Sequence, residues 1–262
     1  MNYSYFPYLL SFDEIPVFNF CTTRYGGISL SGFETSNLGF NTDDSIERIR
    51  ENRMLTAARL QIPTDEFILL KQVHGDSVHY ISRQHCGKFL DREMMEGDGM
   101  FTDIEGLTLA VTLADCAGIV LYEPKKHVAG VCHSGWKGCL LNICGKLVDK
   151  MAEKCGCNSG EIVAGISPSI CGRCYTVGYE IIQKFPEKYS GFISKYHDGW
   201  HLDLEGIVMS QLIEKGVKKE HIFTSGICTY ENTPMFYSHR AEKNTGRFIF
   251  GIRLLPGRQH EQ

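Results

Sequence analysis

The sequence lacks the features that mark membrane and nucleic-acid-binding proteins. No uninterrupted apolar run reaches the roughly 20 residues that cross a bilayer. The N-terminal segment MNYSYFPYLL has neither the basic residues nor the apolar length of a signal peptide. Positive charge is not in excess, since 27 Lys and Arg residues stand against 31 Asp and Glu residues. We therefore expect a cytoplasmic protein with neither a membrane partner nor a nucleic-acid partner.

Several common catalytic signatures are missing as well. The chain has no Walker A pattern and no Gly-x-Gly-x-x-Gly, which argues against the usual phosphate-binding loops. It has no His-x-His pair, which argues against the clustered imidazoles of a multicopper oxidase. Internal repeats, low-complexity tracts and Pro- or Gly-rich linkers are also absent. We therefore expect one domain over residues 1–262.

Cysteine, in contrast, is plentiful. The 11 cysteines are an odd number, and their spacing is not that of a small disulfide scaffold. In a reducing compartment such thiols stay free or bind metal. Cys155 and Cys157, followed by Cys171 and Cys174, could form a structural zinc site with four thiolates. Against this reading, the run EIVAGI between the two pairs resembles a core strand.

The hydrophobic pattern predicts a mixed fold, α/β or α+β, with more strand than simple alternation would give. Asp44 is the predicted N-cap of a first helix, with Glu47 at capping-box spacing. A break at residues 114–116 is expected to divide a long apolar stretch into two strands. The predicted helices span residues 44–60, 136–154, 177–185 and 203–213, and the predicted strands span residues 67–73, 108–122, 161–166, 221–228 and 248–254.

Three residues of metal-ligand type each follow a strand-like segment. His74 follows FILLKQV, Cys116 follows LTLAVTLAD, and His133 follows HVAGVC. Two imidazoles and one thiolate suffice to hold a catalytic zinc with an open fourth position. The same types could instead form a Cys-His nucleophile pair without metal. The residues alone leave both readings open.

The segment HSGWKG adds a possible anion site. Ser134 and Gly135 lie where a strand meets a helix, and the free N–H groups of a helix N-terminus favour anions. Lys137 adds a positive charge in the first turn. Asp98 and Asp115 are candidate acid/base groups because they lie near the other site residues in sequence. The late run from Ser238 to Arg247 could line a pocket.

Taken together and in order, the motifs resemble one known family. They are CTTRYGGIS, SNLGFNTDD with ENR, KQVHG, EGDGMFTD, TLADC, HSGWKG, CYTVGYE and FYSHR with TGR. The set resembles the purine nucleoside phosphorylases once labelled polyphenol oxidase or laccase-domain proteins, a family that includes peptidoglycan editing factors. The resemblance covers nearly the whole chain, and KQVHG, ADC and HSGWKG are highly specific in combination.

The resemblance implies a fold, a cofactor and an activity. The fold would be a layered α/β/β/α sandwich with mixed sheets, distantly similar to deamidating toxins and cysteine hydrolases. Zinc, with copper as the alternative, would be held by His74, Cys116 and His133. The partners would be phosphate and the nucleosides adenosine, inosine and S-methyl-5′-thioadenosine, which would be cleaved to the free base and a sugar 1-phosphate. Adenosine deamination would take place at the same site.

The chain departs from the family pattern at three places. Tyr25 stands where the family usually has His, and Lys137 stands where it usually has Arg. The family's Gly-Pro-rich turn is replaced by residues 167–171. Arg24, Lys137 and Asp98 are the expected phosphate or substrate contacts, and a Lys lacks the bidentate fork of Arg. The alternatives are a metal-independent Cys-His hydrolase or deamidase, and a polyphenol oxidase or peptidoglycan-editing protein; the oligomeric state is not indicated.

Overall fold

Two mixed six-stranded sheets form the centre of the molecule. The structure, a computed structural model, describes residues 2–3, 8–92 and 94–255. Half of the N-terminal segment considered above and both ends of the expected domain lie outside the described residues. Within the described part of the chain, none of the helices has both the length and the apolar character needed to span a bilayer.

Short strands greatly outnumber helices among the described residues. The strands are β1 (Asn2–Tyr3), β2 (Leu9–Ser11), β3 (Phe18–Thr22), β4 (Phe67–Ile68), β5 (Val78–Tyr80), β6 (Gly99–Thr102), β7 (Thr108–Leu113), β8 (Ala117–Glu123), β9 (Val128–Ser134), β10 (Val163–Ile166), β11 (Thr176–Val177), β12 (Ile193–Tyr196), β13 (Gly199–Leu202), β14 (Ile222–Thr224) and β15 (Phe248–Arg253). The α-helices are α1 (Ile46–Leu60), α2 (Trp136–Leu141), α3 (Ile143–Cys155), α4 (Tyr179–Ile182), α5 (Leu204–Glu214) and α6 (His239–Glu242).

Each large sheet is mostly antiparallel and ends in a parallel pair. The first sheet has the order β1-β2-β3-β15-β7-β4, and its last pair is parallel. The second has the order β14-β10-β8-β9-β6-β5, with parallel pairs at both edges. A third, small antiparallel sheet has the order β11-β13-β12, and its Val177 and Leu202 pack in the same core cluster as β8 of the second sheet.

The alternation of side chains along the central strands builds the layers. In β8, Ile119 and Leu121 pack in one core cluster with helices α3 and α5, whereas Val120 packs in a second cluster that joins the two sheets. In β7, Val111 faces that inter-sheet cluster, whereas Ala110 packs with residues of α1. Because neighbouring residues of a strand point to opposite faces, both faces of each sheet are covered. The order α/β/β/α confirms the layered fold that the resemblance implied.

Several predicted elements are confirmed. The break at residues 114–116 separates β7 from β8, and β15 matches the last predicted strand within one residue. Asp203 caps α5, accepting a hydrogen bond from the backbone N–H of Gly206 at 3.1 Å. Gly216, which follows that helix, has the left-handed φ of +90° typical of a helix stop.

Other predicted elements differ in extent. The helix over residues 136–154 is two helices, because Asn142 adopts a left-handed φ of 56° and its side chain caps α3. Ser45, not Asp44, caps α1, since the Asp44 carboxylate accepts hydrogen bonds from the side chains of Ser29 and Asn37 in the preceding loop. The strand over residues 67–73 shrinks to β4, and the helix over residues 177–185 shrinks to α4.

Candidate active site

The pairing of β8 with β9 brings Cys116 and His133 together. The register aligns Ala117 with Ser134 and Gly118 with His133, so Cys116, in the turn before β8, lies at the end of the same ladder. His74 comes from the loop that precedes β5. One ligand atom of each of the three residues lies within 4.8 Å of the others, and we call this group the His-Cys-His site. The structure therefore gathers three residues that are 42 and 17 positions apart in sequence.

Asp98 positions both histidines. Its Oδ1 lies 2.9 Å from Nδ1 of His133 and accepts the backbone N–H of His74 at 3.0 Å. Its Oδ2 accepts the backbone N–H groups of Val73 and Gly75 at 3.1 and 2.7 Å. Because Nδ1 of His133 is committed to a buried carboxylate, Nε2 is the ring atom left to face Cys116 and His74.

The charges of this group reinforce one another. Burial alone would raise the pKa of Cys116, but the charge of His133 and hydrogen bonds from His133 and His74 outweigh burial and lower it to about 6. Burial likewise opposes the charged form of His133, yet the Cys116 thiolate and Asp98 raise its pKa to about 9. The site thus favours a thiolate beside an imidazolium when no metal is bound.

The backbone is strained at two positions of the site. His74 has a φ of 58° and Asp115 a φ of 90°, a region that non-glycine residues rarely occupy. The Asp115 carboxylate compensates by accepting hydrogen bonds from Thr229 Oγ1, Ser238 Oγ and the backbone N–H of Arg240, at 2.7, 2.7 and 2.6 Å. This network fixes the turn that presents Cys116.

Gly135 makes room for the thiol. A Cβ at this position would lie 2.8 Å from Cys116 Sγ and 3.5 Å from Cδ2 of His74. Its own φ of −83° is one that any residue adopts, so the requirement for glycine is steric rather than conformational. Gly135, which lies where strand β9 meets helix α2, therefore also borders the site.

The three expected phosphate or substrate contacts lie in three different environments. Lys137 is exposed on the first turn of α2. The Arg24 guanidinium is already engaged, donating to Glu34 O, Thr233 O and Glu242 Oε1. Asp98 lies behind His133, fully buried. The two carboxylates considered as acid/base groups, Asp98 and Asp115, thus hold site residues in place.

Arg247 was not singled out by the sequence as a site residue. Burial lowers its pKa, and the opposing influence of Cys116 and Asp115 shows that its charge lies within their electrostatic reach. Its guanidinium donates to the backbone carbonyls of Thr245 and Gly246. The only signal in the sequence was the polar run from Ser238 to Arg247, which indicated that this segment could line a pocket but not that Arg247 lies near Cys116.

A second group of metal-ligand type lies elsewhere in the fold. Cys171, Cys174, Cys228 and Glu231 also have ligand atoms within 4.8 Å of one another. The structure agrees with the argument made above against a four-thiolate site, because among the described residues neither Cys155 nor Cys157 belongs to this group. Strand β10 lies between the two cysteine pairs and, at about 3.3 Å per residue, keeps them at opposite ends.

The His-Cys-His site fits a metal ion by its donor set. Two imidazoles and a thiol of lowered pKa converge, and a carboxylate orients one imidazole from behind, as in many zinc sites. His74 is exposed, so the group opens to solvent on one side. The donor types do not separate zinc from copper.

The chain is similar to known proteins over most of its length. The family model described as multi-copper polyphenol oxidoreductase laccase matches residues 18–255. The chain is 34% identical to a purine nucleoside phosphorylase of Deinococcus radiodurans, over 96% of this chain and 94% of the relative. It is 28% identical to the adenosine deaminase RL5 of an unknown prokaryotic organism, over 89% of this chain and 92% of that protein.

A solved structure shows the same fold. The crystal structure of the Bacillus licheniformis hypothetical protein YfiH superposes with a TM-score of 0.91 at 28% identity, covering 95% of this chain and 97% of the other. With a family model matched over most of its length and a relative above 30% identity, the chain belongs to the family of laccase-like proteins whose curated members include purine nucleoside phosphorylases.

Proposed function

We propose that the chain is a metal-dependent purine nucleoside phosphorylase. Its substrates would be phosphate and adenosine, inosine or S-methyl-5′-thioadenosine, and its products the free base and ribose or methylthioribose 1-phosphate. The observation that carries the proposal is the convergence of His74, Cys116 and His133, with Asp98 behind them. The names of the similar proteins support the substrate class. Adenosine deamination at the same site is the second activity, supported by the relative RL5.

The three residues of the His-Cys-His site would hold the metal, and we propose zinc. When bound, zinc supplies Lewis acidity at a position that the three ligands leave open. Asp98 fixes the ring of His133 through Nδ1 and the backbone at His74, so the ligands are held before substrate arrives. Asp115 acts in the same way on the turn before Cys116.

Phosphorolysis requires positive charge for phosphate and a place for the departing base. A phosphate oxygen forms a bond to C1′ of the sugar while the C1′–N bond breaks, and the electron pair of that bond leaves with the base. We propose that Lys137 binds phosphate, since it is exposed at the start of α2. Arg24 is the other proposed contact, and it must exchange its ion pair with Glu242 to serve.

Incubation of the purified full chain with adenosine, with and without phosphate, tests this proposal. We expect adenine and ribose 1-phosphate only when phosphate is present. Deamination would give inosine in both reactions, and with phosphate part of that inosine would be cleaved to hypoxanthine. Loss of both products in Cys116→Ala would tie them to the same site. Absence of base release from all three nucleosides, in protein shown to contain metal, would contradict the proposal.

A cysteine hydrolase is the second candidate, and one observation favours it. The lowered pKa of Cys116 and the raised pKa of His133 describe a thiolate-imidazolium pair like that of a nucleophilic cysteine. In that mechanism the metal-depleted chain would keep its turnover and iodoacetamide would abolish it. Under the proposed phosphorylase mechanism, metal depletion abolishes turnover and added zinc restores it.

A further inference from the structure

Two loops that leave parallel strands place three thiols and a carboxylate together. Cys171 and Cys174 lie in the loop after β10, whereas Cys228 and Glu231 lie in the loop after β14. Strands β10 and β14 are parallel neighbours, so their carboxyl ends reach the same sheet edge, and an isolated bridge pairs Ser169 with Cys228 beyond it. We call these four residues the thiol-rich site.

We propose that the thiol-rich site binds one zinc ion as a closed, structural centre. The four ligand atoms lie within 4.8 Å of one another, close enough for small side-chain shifts to bring them around one ion. Three thiolates with one carboxylate make a four-ligand set, and thiolates favour zinc over magnesium or calcium. The inference concerns residues outside the His-Cys-His site and does not depend on the proposed function.

The backbone of the first loop already has a shape suited to a metal. The N–H groups of Cys174 and Tyr175 both donate to the carbonyl of Cys171, at 2.9 and 3.1 Å, which closes a tight turn around the Cys-x-x-Cys spacing. The N–H of Cys171 donates to Cys228 Sγ at 3.3 Å. An N–H aimed at sulfur stabilises a thiolate. The loop therefore offers both sulfurs and a donor that supports the third.

Glu231 completes the set from the side of Cys174. Its Oε1 lies 3.6 Å from Cys174 Sγ, and Arg173 holds the carboxylate with bonds of 3.1 and 2.7 Å. A carboxylate has about four lone-pair positions, so Glu231 can bind an ion and keep its bonds to Arg173. Three thiolates and one carboxylate exceed the charge of zinc by two, and the guanidinium offsets one of these.

An aqueous route leads to the site. Cys171 and Cys228 line a cavity of about 420 Å³, together with Arg173, His201 and Asp203. Because Arg173, His201 and Asp203 are polar, a hydrated ion can approach the sulfurs through this cavity. The buried position of Cys228 then limits how much water remains around a bound ion.

Zinc at this position would brace the turn that presents Cys116. The N–H of Ile170, next to Cys171, donates to the Asp115 carbonyl at 2.8 Å. Thr229, next to Cys228, donates its hydroxyl to the Asp115 carboxylate at 2.7 Å. Both loops of the thiol-rich site thus contact the strained residue that precedes Cys116, and an ion linking the loops would hold both contacts.

The test measures zinc affinity in the full chain carrying Cys116→Ala, which removes the thiolate of the His-Cys-His site. Metal-depleted, reduced protein is titrated with zinc against a chromophoric chelator. We expect one tightly bound zinc per chain and, because cysteines bind zinc as thiolates, the release of about three protons near neutral pH. Cobalt in place of zinc should give the near-ultraviolet charge-transfer absorption of several thiolate ligands.

Two substitutions at the surface of the site probe its ligands without emptying the core. Added Cys174→Ser should weaken zinc binding by at least about 100-fold, and Glu231→Gln should weaken it by about 10-fold. The matched control is Cys155→Ala with Cys157→Ala, which removes two thiols outside the site and should leave the affinity unchanged. Circular dichroism verifies the fold of each variant.

Three results would overturn the inference. They are failure of the reduced Cys116→Ala chain to retain zinc, unchanged affinity after Cys174→Ser, and an equal loss in the Cys155 and Cys157 control. Each readout is metal binding rather than turnover, so a failed phosphorylase assay would leave this inference standing. Conversely, loss of the thiol-rich site would not remove the His-Cys-His site.

Discussion

The His-Cys-His site and the thiol-rich site use the same residue types in opposite ways. The first joins two imidazoles and one thiol from the loop before β5, the turn before β8 and strand β9, with an exposed His74 on its open side. The second joins three thiols and a carboxylate from two loops that leave neighbouring parallel strands. Three ligands leave a position for substrate, whereas four close the coordination sphere. This difference fits the two proposals, in which the first site carries out the reaction and the second links two loops.

The two sites also differ in backbone strain. Strained residues lie in the first site, at His74 and beside Cys116 at Asp115. The Asp98 carboxylate accepts the backbone N–H of His74, and the Thr229 hydroxyl donates to the Asp115 carboxylate, so both residues are held in place. In the thiol-rich site, none of the four proposed ligands has a positive φ. Strain with compensating hydrogen bonds is typical of a preorganised reactive site. A site that only links two loops has no such requirement.

Removal of the single thiol of the first site should have the largest effect. We expect Cys116→Ala to lower kcat/KM for adenosine phosphorolysis by about 10³-fold, or about 4 kcal/mol, because a ligand and the charge beside His133 are both lost. Zinc content should fall by one ion per chain, and the thiol-rich site should keep its own. Cys86→Ala, a half-buried thiol outside both sites, is the control and should retain activity. Equal activity of the Cys116→Ala and Cys86→Ala variants would show that the His-Cys-His site is not needed for turnover.

Loss of the carboxylate behind the histidines should have the next largest effect. Asp98→Asn replaces an oxygen that accepts from His133 and should weaken zinc binding and turnover by about 10–100-fold. Asp76→Asn, two residues after His74 but paired with Lys146 at the surface, is the control. Zinc titration of both variants shows whether Asp98 acts through the metal ligands. An unchanged zinc affinity in Asp98→Asn would contradict that role.

A methyl group beside Cys116 should have a smaller effect. Gly135→Ala places a Cβ 2.8 Å from Cys116 Sγ, too close for the present geometry, so the sulfur or the backbone of residue 135 must shift. We expect about a 10-fold loss of kcat/KM, equivalent to about 1.4 kcal/mol. Gly191→Ala, where a Cβ meets nothing within 4 Å, should have no effect. Steady-state kinetics with equal melting temperatures would separate this local displacement from general destabilisation.

The pH dependence of thiol alkylation in metal-depleted protein distinguishes Cys116 from a thiol outside the site without any mutation. The pKa of Cys116 is lowered to about 6, so its thiolate persists at neutral pH and is lost as the pH falls through about 6. The pKa of Cys86 is raised, mainly by burial, so that thiol should react only at higher pH. Alkylation by iodoacetamide across pH 5–9, read by mass spectrometry, should reach half its maximal rate for Cys116 near pH 6. A midpoint near 8.5 would contradict the charge arrangement of the site.

The sequence predicted elements best where local signals and burial agreed. The break between β7 and β8 and the Asp203 cap of α5 follow from local residue types, and both were confirmed. The left-handed Asn142 that divides α2 from α3 was missed, because the apolar spacing continues across it. Asp44 was misread as a cap because Ser29, a partner 15 residues away, captures its side chain.

The two sites also differ in how far the sequence predicts their ligands. His74, Cys116 and His133 were recognisable because each ends a strand-like run, but their spacing carried no information on distance. Cys171 and Cys174 were also recognised, yet their partner is Cys228 rather than Cys155 or Cys157. That choice depends on the parallel pairing of β10 with β14, which pairs strands more than 50 residues apart. Sheet order, not local pattern, decides which thiols meet.

Zinc titration of the metal-depleted Cys174→Ser chain tests the central claim most directly. In this variant the thiol-rich site is weakened, so zinc in the first equivalent goes to the His-Cys-His site. We predict that phosphate-dependent release of adenine from adenosine rises in proportion to added zinc and stops rising at one ion per chain. Full turnover before any zinc is added, with metal content shown to be negligible, would contradict the account.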